Sequence, residues 1–405
     1  MSDHSSASEV VIVGGGIYGT SLAYQLAKAG RSITLLEAGE IAGGASGGPG
    51  ERGVRASGRD LRELPVCALA QQLWAEYQAK IEGGVGYRRV GGLKIYDVSY
   101  GHREHEVRGR MEATAAVQAS LGTPSEVLSR DEALAREPEL APGILGAIWC
   151  PHDGVGDHSF ATRQFAKEAA RAGAVIRTGA KVAEIVQARG AVTEVKLASG
   201  ETVPVGSRLV VVANAGANAL LKPVLKPHEL GPVWNLMPQM HFVTNPLNKR
   251  VNHLLSHAHR QLAVKQLPDG TIMLSGGAHV GHTPEGLWQG SLSSMTQNVT
   301  NGVLTLPFID SSTLLSVDAS RVEAVAADQI PLIGQAEALP NLIYGYGWSG
   351  HGFAISLGFT KLFIMGLSSD PLYREKPEAL EPFSPLRFHK PAEMLKAVSV
   401  GRAAA

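Results

Sequence analysis

Cysteine is scarce in this 405-residue sequence, and its scarcity excludes two kinds of covalent or metal-based scaffold. Only Cys67 and Cys150 are present, so the chain can build neither a disulfide framework nor a four-thiolate metal site. Such sparing use of cysteine suits a reducing compartment. We expect both thiols to be small, buried, apolar groups.

Net charge and long apolar runs are also lacking. The 37 Lys+Arg and 37 Asp+Glu residues cancel, and charged residues make up only 18% of the chain. This balance leaves no electrostatic footprint for nucleic acid or an anionic membrane surface. The first nine residues, MSDHSSASE, lack the basic and apolar regions of a secretory signal, and no apolar stretch is long enough to span a bilayer. We therefore predict a cytoplasmic protein with no membrane span and no nucleic-acid partner.

Glycine, by contrast, is abundant, with 47 residues. Much of it is concentrated in three segments, Gly14–Gly19, Gly43–Gly58 and Gly345–Gly358. Glycine clusters of this kind occur where the backbone turns sharply or approaches another group closely. The pattern indicates a large flat or phosphate-bearing ligand.

The first glycine cluster lies in a strand–turn–helix pattern. The β-branched run EVVIV (Glu9–Val13) leads into GGGIYG, and apolar residues then recur at helical spacing up to Gly30. A second apolar run, SITLL, is followed at once by Glu37, 18 positions beyond Gly19. These features predict a βαβ dinucleotide-binding unit.

Each motif residue has a physical role in such a unit. Gly14 makes the tight turn, Gly16 lets the backbone approach a pyrophosphate, and Gly19 allows the helix to pack closely on the strand. Glu37 is placed to accept hydrogen bonds from the adenosine ribose, and its charge would repel a 2′-phosphate. The unit therefore suits FAD or NAD and not NADP.

Further motifs carry a resemblance to a known family. After Glu37 a long Gly/Ser loop takes the place of the compact second βαβ unit of a nicotinamide domain. With this loop and the dinucleotide motif, the sequence resembles the D-amino acid oxidase superfamily of FAD enzymes, in the branch holding glycine oxidase, monomeric sarcosine oxidase and the sarcosine oxidase β-subunit. The matching segments are GGGIYG with Glu37, Gly43–Arg55, Pro151–Ile176, Leu209–Ala219, Ala327–Gly334, Gly345–Phe353 and Phe383–Phe388.

The resemblance implies an α/β fold in which a glutathione-reductase-like FAD-binding Rossmann domain is interleaved with a smaller α+β substrate domain built on an antiparallel sheet. We expect the FAD domain to comprise 1–90, 147–230 and 318–405, and the substrate domain 91–146 and 231–317. From the residues alone, Tyr87–Tyr96 and Leu262–Ser275 are predicted to be strand-rich, and Arg103–Glu137 to be helical. The apolar stretch Phe353–Leu367 is predicted to be a buried helix.

The resemblance also implies the residues that bind FAD. It adds Ala38 beside Glu37, Val182, and residues of three matched segments. These segments are the loop beside the flavin (Gly43–Arg55, the flavin-side loop), a second strand-to-turn contact with FAD (Leu209–Ala219) and the glycine-spaced turn Gly345–Phe353. The predicted FAD-binding residues are Gly14, Gly16, Ile17, Tyr18, Gly19, Glu37, Ala38, Gly44, Ala45, Ser46, Arg52, Gly53, Val54, Val182, Ala213, Asn214, Gly216, Gly350, His351, Gly352, Phe353 and Ala354. We expect the FAD to be non-covalent, because neither cysteine lies near the C-terminal segment where monomeric sarcosine enzymes carry their linkage.

Three residues are candidates for chemistry beside the flavin. His351 matches the position that touches the flavin in the family, although a histidine capping a helix start would look the same. Arg55 matches an arginine of the sarcosine-oxidase branch and could meet a substrate carboxylate or the flavin edge; a surface salt bridge is the alternative. Lys265 lies on a strand that faces the substrate cavity in the family, where it could balance a carboxylate or assist oxygen reduction, or it could simply be solvated.

One position departs from the family pattern. In the amino acid oxidase branch an arginine stands about five residues before the aspartate that matches Asp328, and here that slot holds Glu323. Arg321, two residues earlier, would point to the same face if the strand is regular. Glu323 could instead face the pocket and hold a cationic substrate, or pair with Arg321, so the carboxylate anchor is left open.

The histidines His253, His257 and His259 have ligand-like spacing, but no carboxylate partner or helical HExxH pattern accompanies them. We expect no metal site.

The function implied by the resemblance is FAD-dependent oxidation of the C–N bond of a small amino acid or secondary amine, such as an N-substituted glycine of the sarcosine or iminodiacetate type. The substrate carbon gives a hydride to the flavin, the imine hydrolyses, and dioxygen reoxidises the flavin to give hydrogen peroxide. The alternatives are a flavin dehydrogenase of a 2-hydroxy acid, or a subunit of a hetero-oligomer that passes electrons to an acceptor protein.

Overall fold

The computed structural model describes residues 7–44, 50–98, 103–282, 288–367 and 380–389. Its helices are α1 (Ile17–Lys28), α2 (Leu64–Lys80), α3 (Glu104–Ser120), α4 (Arg130–Arg136), α5 (His158–Arg171), α6 (Ala217–Leu221), α7 (Leu292–Thr305) and α8 (Gly352–Leu367). Its strands are β1 (Ser8–Val13), β2 (Ile33–Leu36), β3 (Glu51–Val54), β4 (Tyr87–Arg88), β5 (Gly92–Tyr96), β6 (Glu126–Ser129), β7 (Gly146–Cys150), β8 (Gly154–Asp157), β9 (Val175–Arg177), β10 (Val182–Ala188), β11 (Ala191–Leu197), β12 (Thr202–Val211), β13 (Val233–Leu236), β14 (Met240–Val243), β15 (Leu254–His257), β16 (Ala263–Gln266), β17 (Ile272–Ser275), β18 (Gly281–His282), β19 (Trp288–Gln289), β20 (Leu314–Asp318), β21 (Glu323–Ala326), β22 (Leu332–Gln335) and β23 (Leu342–Tyr346).

The first sheet contains the predicted βαβ unit. Its parallel strands lie in the order β9-β2-β1-β12-β23, so β1 is central and pairs with β2 and β12. The helix α1 begins directly after the glycine turn and ends just before Gly30, whose φ of +79° suits glycine. The predicted strand, helix and second strand are thus confirmed.

Alternating residues of β1 are buried on the two faces of this sheet. Val10 and Ile12 pack in a core with α1 and α8, whereas Val11 and Val13 pack in a second core with the β10–β12 antiparallel strands. A strand buried on both faces reads as a continuous apolar run, which explains the EVVIV pattern. The helix α8 confirms the predicted buried helix at Phe353–Leu367.

The second sheet is mixed and has the order β20-β14-β17-β16-β15-β5-β7-β6. Only the β5–β15 pair is parallel within the described part of this sheet. One face contributes Leu93, Ile95, Leu255 and Val264 to an apolar core that also includes Leu306 and neighbouring residues after α7. The other face carries the polar residues Lys94, Ser256 and Lys265, which line a cavity.

The pairing of the strands indicates where one domain ends and the other begins, and the boundaries themselves are a proposal. The strand β7 pairs with β5 and β6, so the segment up to Cys150 belongs to the second sheet. We therefore place the change of domain after β7 rather than at residue 147. The β14–β20 pairing extends the second sheet to Asp318, one residue past the other proposed boundary at residue 317.

The predicted strand-rich segments are confirmed, since β4 and β5 cover the first and β16 and β17 the second. The predicted helical segment Arg103–Glu137 is confirmed at its two ends but is wrong between them. The helix α3 ends before Gly122, whose φ is +88°, and Glu126–Ser129 forms an edge strand paired with β7. The chain returns to helix only at α4, where Ser129 and Glu132 form a capping box.

Both cysteines are buried, as expected. Among the described residues, no helix combines the length and apolarity needed to cross a membrane.

Candidate active site

A cavity of about 1190 Å³ lies between the carboxyl ends of β1, β2 and β12 and the polar face of the second sheet. It brings together residues from all three glycine clusters. The predicted residues in its wall are Gly14, Gly16, Ile17, Tyr18, Glu37, Ala38, Gly44, Arg52, Gly53, Arg55, Val182, Ala213, Asn214, Gly216, Lys265, Glu323, Gly350, His351, Gly352, Phe353 and Ala354.

Some predicted residues lie elsewhere. Gly19 packs between α1 and β1, and Val54 is buried in the core beside Trp74. Arg321 does not line the cavity; its Nε donates to the Gly43 carbonyl oxygen at 2.8 Å. Ala45 and Ser46 fall outside the described residues.

The glycine turn after β1 has the geometry that its three motif residues predict. Gly14 has a φ of +118°, and a Cβ there would lie 2.8 Å from the Val212 carbonyl oxygen. A Cβ at Gly19 would lie only 1.9 Å from the Gly14 carbonyl oxygen, whereas a Cβ at Gly16 would meet nothing within 4 Å. Two of the glycines thus permit backbone contact, and the third opens onto the cavity.

Glu37 closes the same turn from the end of β2. Its Oε2 accepts a hydrogen bond from the Gly15 amide at 2.6 Å, and its Oε1 accepts one from the Gly39 amide at 2.8 Å. These bonds fix the carboxylate in the cavity wall, and each oxygen keeps a lone pair for a further donor.

The turn before α8 forms the opposite wall. The Tyr18 hydroxyl donates to the Gly352 carbonyl oxygen at 2.8 Å, and the Tyr18 ring stacks on Trp348 at 3.7 Å between centroids. The first and third glycine clusters are therefore joined directly. Because α8 begins at Gly352, its free N–H groups and positive dipole end point towards the cavity.

His351 is held by a carboxylate that the sequence did not reveal. Its Nδ1 lies 3.1 Å from Oε1 of Glu63, which is fully buried. Burial, reinforced by the nearby Arg59 cation, lowers the pKa of His351 to about 4. The imidazole is therefore neutral at pH 7, and Nε2 is left as its acceptor, so the interaction with Glu63 orients the ring in the cavity wall.

Three cationic side chains line the cavity near the flavin-side loop. Arg55 is half-buried, and its guanidinium donates to the Ser57 carbonyl oxygen at 2.7 Å. Burial lowers the pKa values of Arg52 and Arg55 to about 10 each, so both stay charged at neutral pH. Lys265 is 4% exposed, and burial together with the charges of Arg52 and Arg55 lowers its pKa to about 7. Neither a surface salt bridge for Arg55 nor a solvated Lys265 fits these positions.

Arg321 and Glu323 are not on one face of a strand, because only Glu323 belongs to a strand. The strand β21 begins at Glu323, so Arg321 lies in the preceding loop. Glu323 is buried and accepts a hydrogen bond from the Gly350 amide at 2.6 Å, which ties it to the turn before α8. The geometry therefore favours the alternative in which Glu323 faces the pocket.

The sequence interpretation missed several charged or polar residues of the cavity wall and the partner of His351. Arg59, Lys94 and His158 line the cavity, and Glu63 holds His351. Lys94 alternates with the apolar residues Leu93 and Ile95, a pattern that equally suits a solvated strand face. Only His158 had a local signal, because it follows the Asp157 N-cap of α5 within the matched Pro151–Ile176 segment.

The histidines with ligand-like spacing bind other side chains. Nδ1 of His253 lies 3.0 Å from Oε2 of Glu137, and His257 contacts Arg260, which pairs with Asp97. The described part of the chain holds no group of three or more His, Cys, Asp or Glu residues that could hold a metal ion.

A buried carboxylate supports the loop that carries Arg55. Asp153, fully buried, accepts hydrogen bonds from the Ala56 amide at 2.8 Å, the Gln71 side-chain amide at 2.8 Å and the Ser57 hydroxyl. Burial raises its pKa, an effect opposed by these hydrogen bonds. The network fixes the backbone directly after Arg55.

We expect Asp153→Ala to lower the free energy of unfolding by about 3 kcal/mol, because three buried donors lose their acceptor. The measurement is urea unfolding at pH 7. Asp131→Ala, at an exposed carboxylate of α4, is the matched control and should change stability by less than about 0.5 kcal/mol. Equal effects of the two substitutions would contradict the role of the network.

Comparison with known families decides the identity of the chain. The sequence model of the family described as DAO, FAD dependent oxidoreductase, matches residues 9–364. This chain belongs to that family. FAD is therefore its cofactor.

Individual relatives of this DAO-family chain are distant. It is 28% identical over 221 residues to a glycine oxidase of Bacillus licheniformis, a match covering 53% of this chain and 56% of that protein. It is 24% identical over 351 residues to sarcosine oxidase subunit beta of Arthrobacter sp., covering 85% of this chain and 83% of that one. The structure of L-proline dehydrogenase from P. horikoshii superposes with a TM-score of 0.79 at 23% identity, covering 95% of this chain and 98% of that one, which shows the shared fold.

The residues of this DAO-family chain fit FAD at the dinucleotide end. Gly16 leaves open space beside the N-terminus of α1, where a pyrophosphate would accept hydrogen bonds from backbone amides. Oδ1 of Asn214 is buried and has no hydrogen-bond partner among the described residues, so it is available to a ligand. Gly16, Glu37 and Asn214 would thus hold the adenosine diphosphate half.

The other end of the cavity fits the flavin half. Nδ1 of His158 lies 3.0 Å from the Gly50 carbonyl oxygen and must donate to it. Burial lowers the pKa of His158 to about 4, so the ring is neutral and its Nε2 is an acceptor, buried and without a partner in the described chain. His158, Arg52 and the N-terminus of α8 would therefore surround the isoalloxazine ring.

Proposed function

We propose that this enzyme oxidises the C–N bond of a small amino acid or secondary amine that carries a carboxylate, such as an N-substituted glycine. The observation that carries the proposal is the cationic wall formed by Arg55, Lys265 and their neighbours in a cavity whose other end fits FAD. Bound FAD supplies the two-electron acceptor in such a reaction. Its relatives include a glycine oxidase and a sarcosine oxidase subunit beta, and their names support the same substrate class.

The side chains divide the work of binding in this proposal. Arg55 binds the substrate carboxylate through charge-assisted hydrogen bonds, and Glu323, at the start of β21 and bonded to the turn before α8, faces the amine. His351, kept neutral and oriented by Glu63, accepts a hydrogen bond from the substrate or cofactor at Nε2. The apolar wall residues Leu254 and Met240 exclude water from the reacting carbon.

The test is anaerobic mixing of the purified, FAD-loaded protein with amino acids, N-substituted glycines, amines and 2-hydroxy acids while the flavin absorbance is followed. Bleaching by an N-substituted glycine is the expected result. Bleaching by 2-hydroxy acids alone would overturn the proposal. Non-covalent attachment is tested on the same sample, because acid precipitation should leave a colourless protein pellet.

Admission of air after bleaching separates two modes of turnover. Rapid return of the colour indicates an oxidase that forms hydrogen peroxide. Slow return indicates a subunit that passes electrons to an acceptor protein. The long match to sarcosine oxidase subunit beta supports this second candidate function, a subunit that passes electrons to an acceptor protein.

The charge of Lys265 predicts a pH dependence for the reaction with oxygen. With a pKa of about 7, Lys265 is cationic below that pH and neutral above it. If Lys265 assists oxygen reduction, the rate at which colour returns in air should fall as the pH rises through about 7. Lys265→Met should lower this rate at pH 6 by about tenfold, equivalent to about 1.4 kcal/mol, and flatten its pH profile.

Lys196→Met is the matched control, because Lys196 lies exposed on β11, away from the cavity. The control should keep both the rate and the pH profile of the parent protein. A pH profile that persists in Lys265→Met would assign the ionisation to another group.

A further inference from the structure

The second sheet carries two lysines on its cavity face. On β15, Ser256 lies opposite Lys94 of β5, and on its other side it lies opposite Ala263 of β16. Lys265 is two residues beyond Ala263 on the same strand and therefore shares its face. Both lysines thus project from one surface, two strands apart.

Their spacing follows from the sheet geometry. Lys94 and Lys265 are two strands apart across the sheet and two residues apart along it. Their Cα atoms are therefore separated by roughly 12 Å. The opposite face, which includes Leu93, Ile95 and Val264, is packed in an apolar core. Both ammonium groups must therefore lie on the cavity side.

The Lys94 ammonium has no partner for its charge among the residues that the structure describes. The backbone of Lys94 pairs with β7 and β15, but no hydrogen bond or ion pair joins its Nζ to a residue within the described ranges. Its ammonium lies beside Gly58, where a Cβ would be 2.7 Å from Nζ, and Gly58 itself lines the cavity. Burial, reinforced by the Arg55 cation, lowers the pKa of Lys94 to about 8, so it is still largely charged at pH 7.

The neighbouring charges make the absence of a partner significant. The charge of Arg55 acts on both Lys94 and Lys265. Lys265 is also near the Arg52 cation and the carboxylate of Glu51, which opposes the lowering of its pKa. Lys94 therefore lies next to the Arg55 cation in the cavity wall, whereas Lys265 has both a cation and a carboxylate nearby. A buried cation without an acid partner is costly, and a substrate that brings negative charge compensates for it.

We propose that Lys94 binds a second carboxylate of the substrate, so that the enzyme acts on a secondary amine carrying two carboxylates. This inference rests on the proposed oxidation of a carboxylate-bearing amine and specifies its substrate class. Arg55 binds the carboxylate next to the reacting carbon, and Lys94, its neighbour in the cavity wall, binds the carboxylate of the N-substituent. Lys94 is thus a specificity-determining residue.

The test uses two thioethers, thiodiacetate and (methylthio)acetate, which place sulfur where the amine nitrogen would be. Neither can form an imine, so their dissociation constants for the FAD-loaded protein are measured from the change in flavin absorbance without turnover. We expect thiodiacetate to bind at least about tenfold more tightly than (methylthio)acetate. Lys94→Met should reduce this ratio to about two or less, while Lys94→Arg and the control Lys196→Met should keep it.

FAD content and the melting temperature establish that each variant is folded. Equal affinity of the wild-type protein for the two thioethers, or a preference that survives in Lys94→Met, would overturn the role of Lys94. Failure of the underlying proposal has a different signature, because then neither N-methylglycine nor iminodiacetate bleaches the flavin. Bleaching by N-methylglycine together with equal thioether binding would leave the oxidation standing and remove only the second-carboxylate site.

Discussion

Replacing Gly19 with alanine is expected to abolish FAD binding and to lower the free energy of unfolding by about 3 kcal/mol. The added Cβ would lie 1.9 Å from the Gly14 carbonyl oxygen, so α1 would have to move away from β1. That movement disrupts the core between the helix and the sheet and misplaces the amides that bind the pyrophosphate. The ratio of flavin to protein absorbance and chemical unfolding measure the two effects.

Gly16→Ala separates cofactor binding from folding. A Cβ at Gly16 meets no protein atom within 4 Å but projects into the space assigned to the pyrophosphate. We expect this variant to lose FAD while its FAD-free form unfolds like the FAD-free parent. Gly109→Ala, on the exposed part of α3, is the control and should retain FAD with a stability equal to or slightly above the parent. Full FAD retention by Gly16→Ala would show that the cofactor does not approach this turn.

Arg55→Met is expected to lower kcat/KM for a carboxylate-bearing amine by about 100-fold. Two charge-assisted hydrogen bonds to the carboxylate are lost, at a combined cost of about 3 kcal/mol. The amide of the same substrate lacks the negative charge, so its already low kcat/KM should barely change. Steady-state kinetics with the acid and the amide measure the difference.

Arg163→Met is the matched control, because Arg163 is exposed on α5 and lies outside the cavity wall. It should leave both substrates unaffected. A parallel loss for acid and amide in Arg55→Met would point to a structural role near the Asp153 network. An unchanged kcat/KM for the acid would show that another group binds the carboxylate.

The dinucleotide turn shows how much of the site is encoded locally. The spacing of Gly14, Gly16 and Gly19 and the position of Glu37 predict both the backbone path and the ligand. The requirement is short-range: each residue must permit a dihedral angle, a close backbone contact or an open approach within one strand–turn–helix unit. The resemblance carried by the other motifs then indicated the family, which the family comparison establishes.

The substrate end shows the opposite case. Lys94 and Lys265 occupy strand positions that a solvated sheet face would fill with the same residue type. Arg321 and Glu323 were expected to share a face only if the strand was regular, and β21 begins too late for that. The partner of His351, Glu63, lies 288 positions away along the chain and has no spacing signal.

The sequence by itself determined the βαβ unit, the two-sheet fold class implied by the family motifs, and the dinucleotide half of the ligand site. Only the tertiary structure decided which charged side chains face the cavity and which acids hold them. The physical reason is that backbone conformation depends on neighbours along the chain, whereas the burial and pKa of a side chain depend on whatever packs over it. Lys94 is covered by the loop that contains Arg55 and Gly58. This loop contacts Lys94 only in the folded molecule.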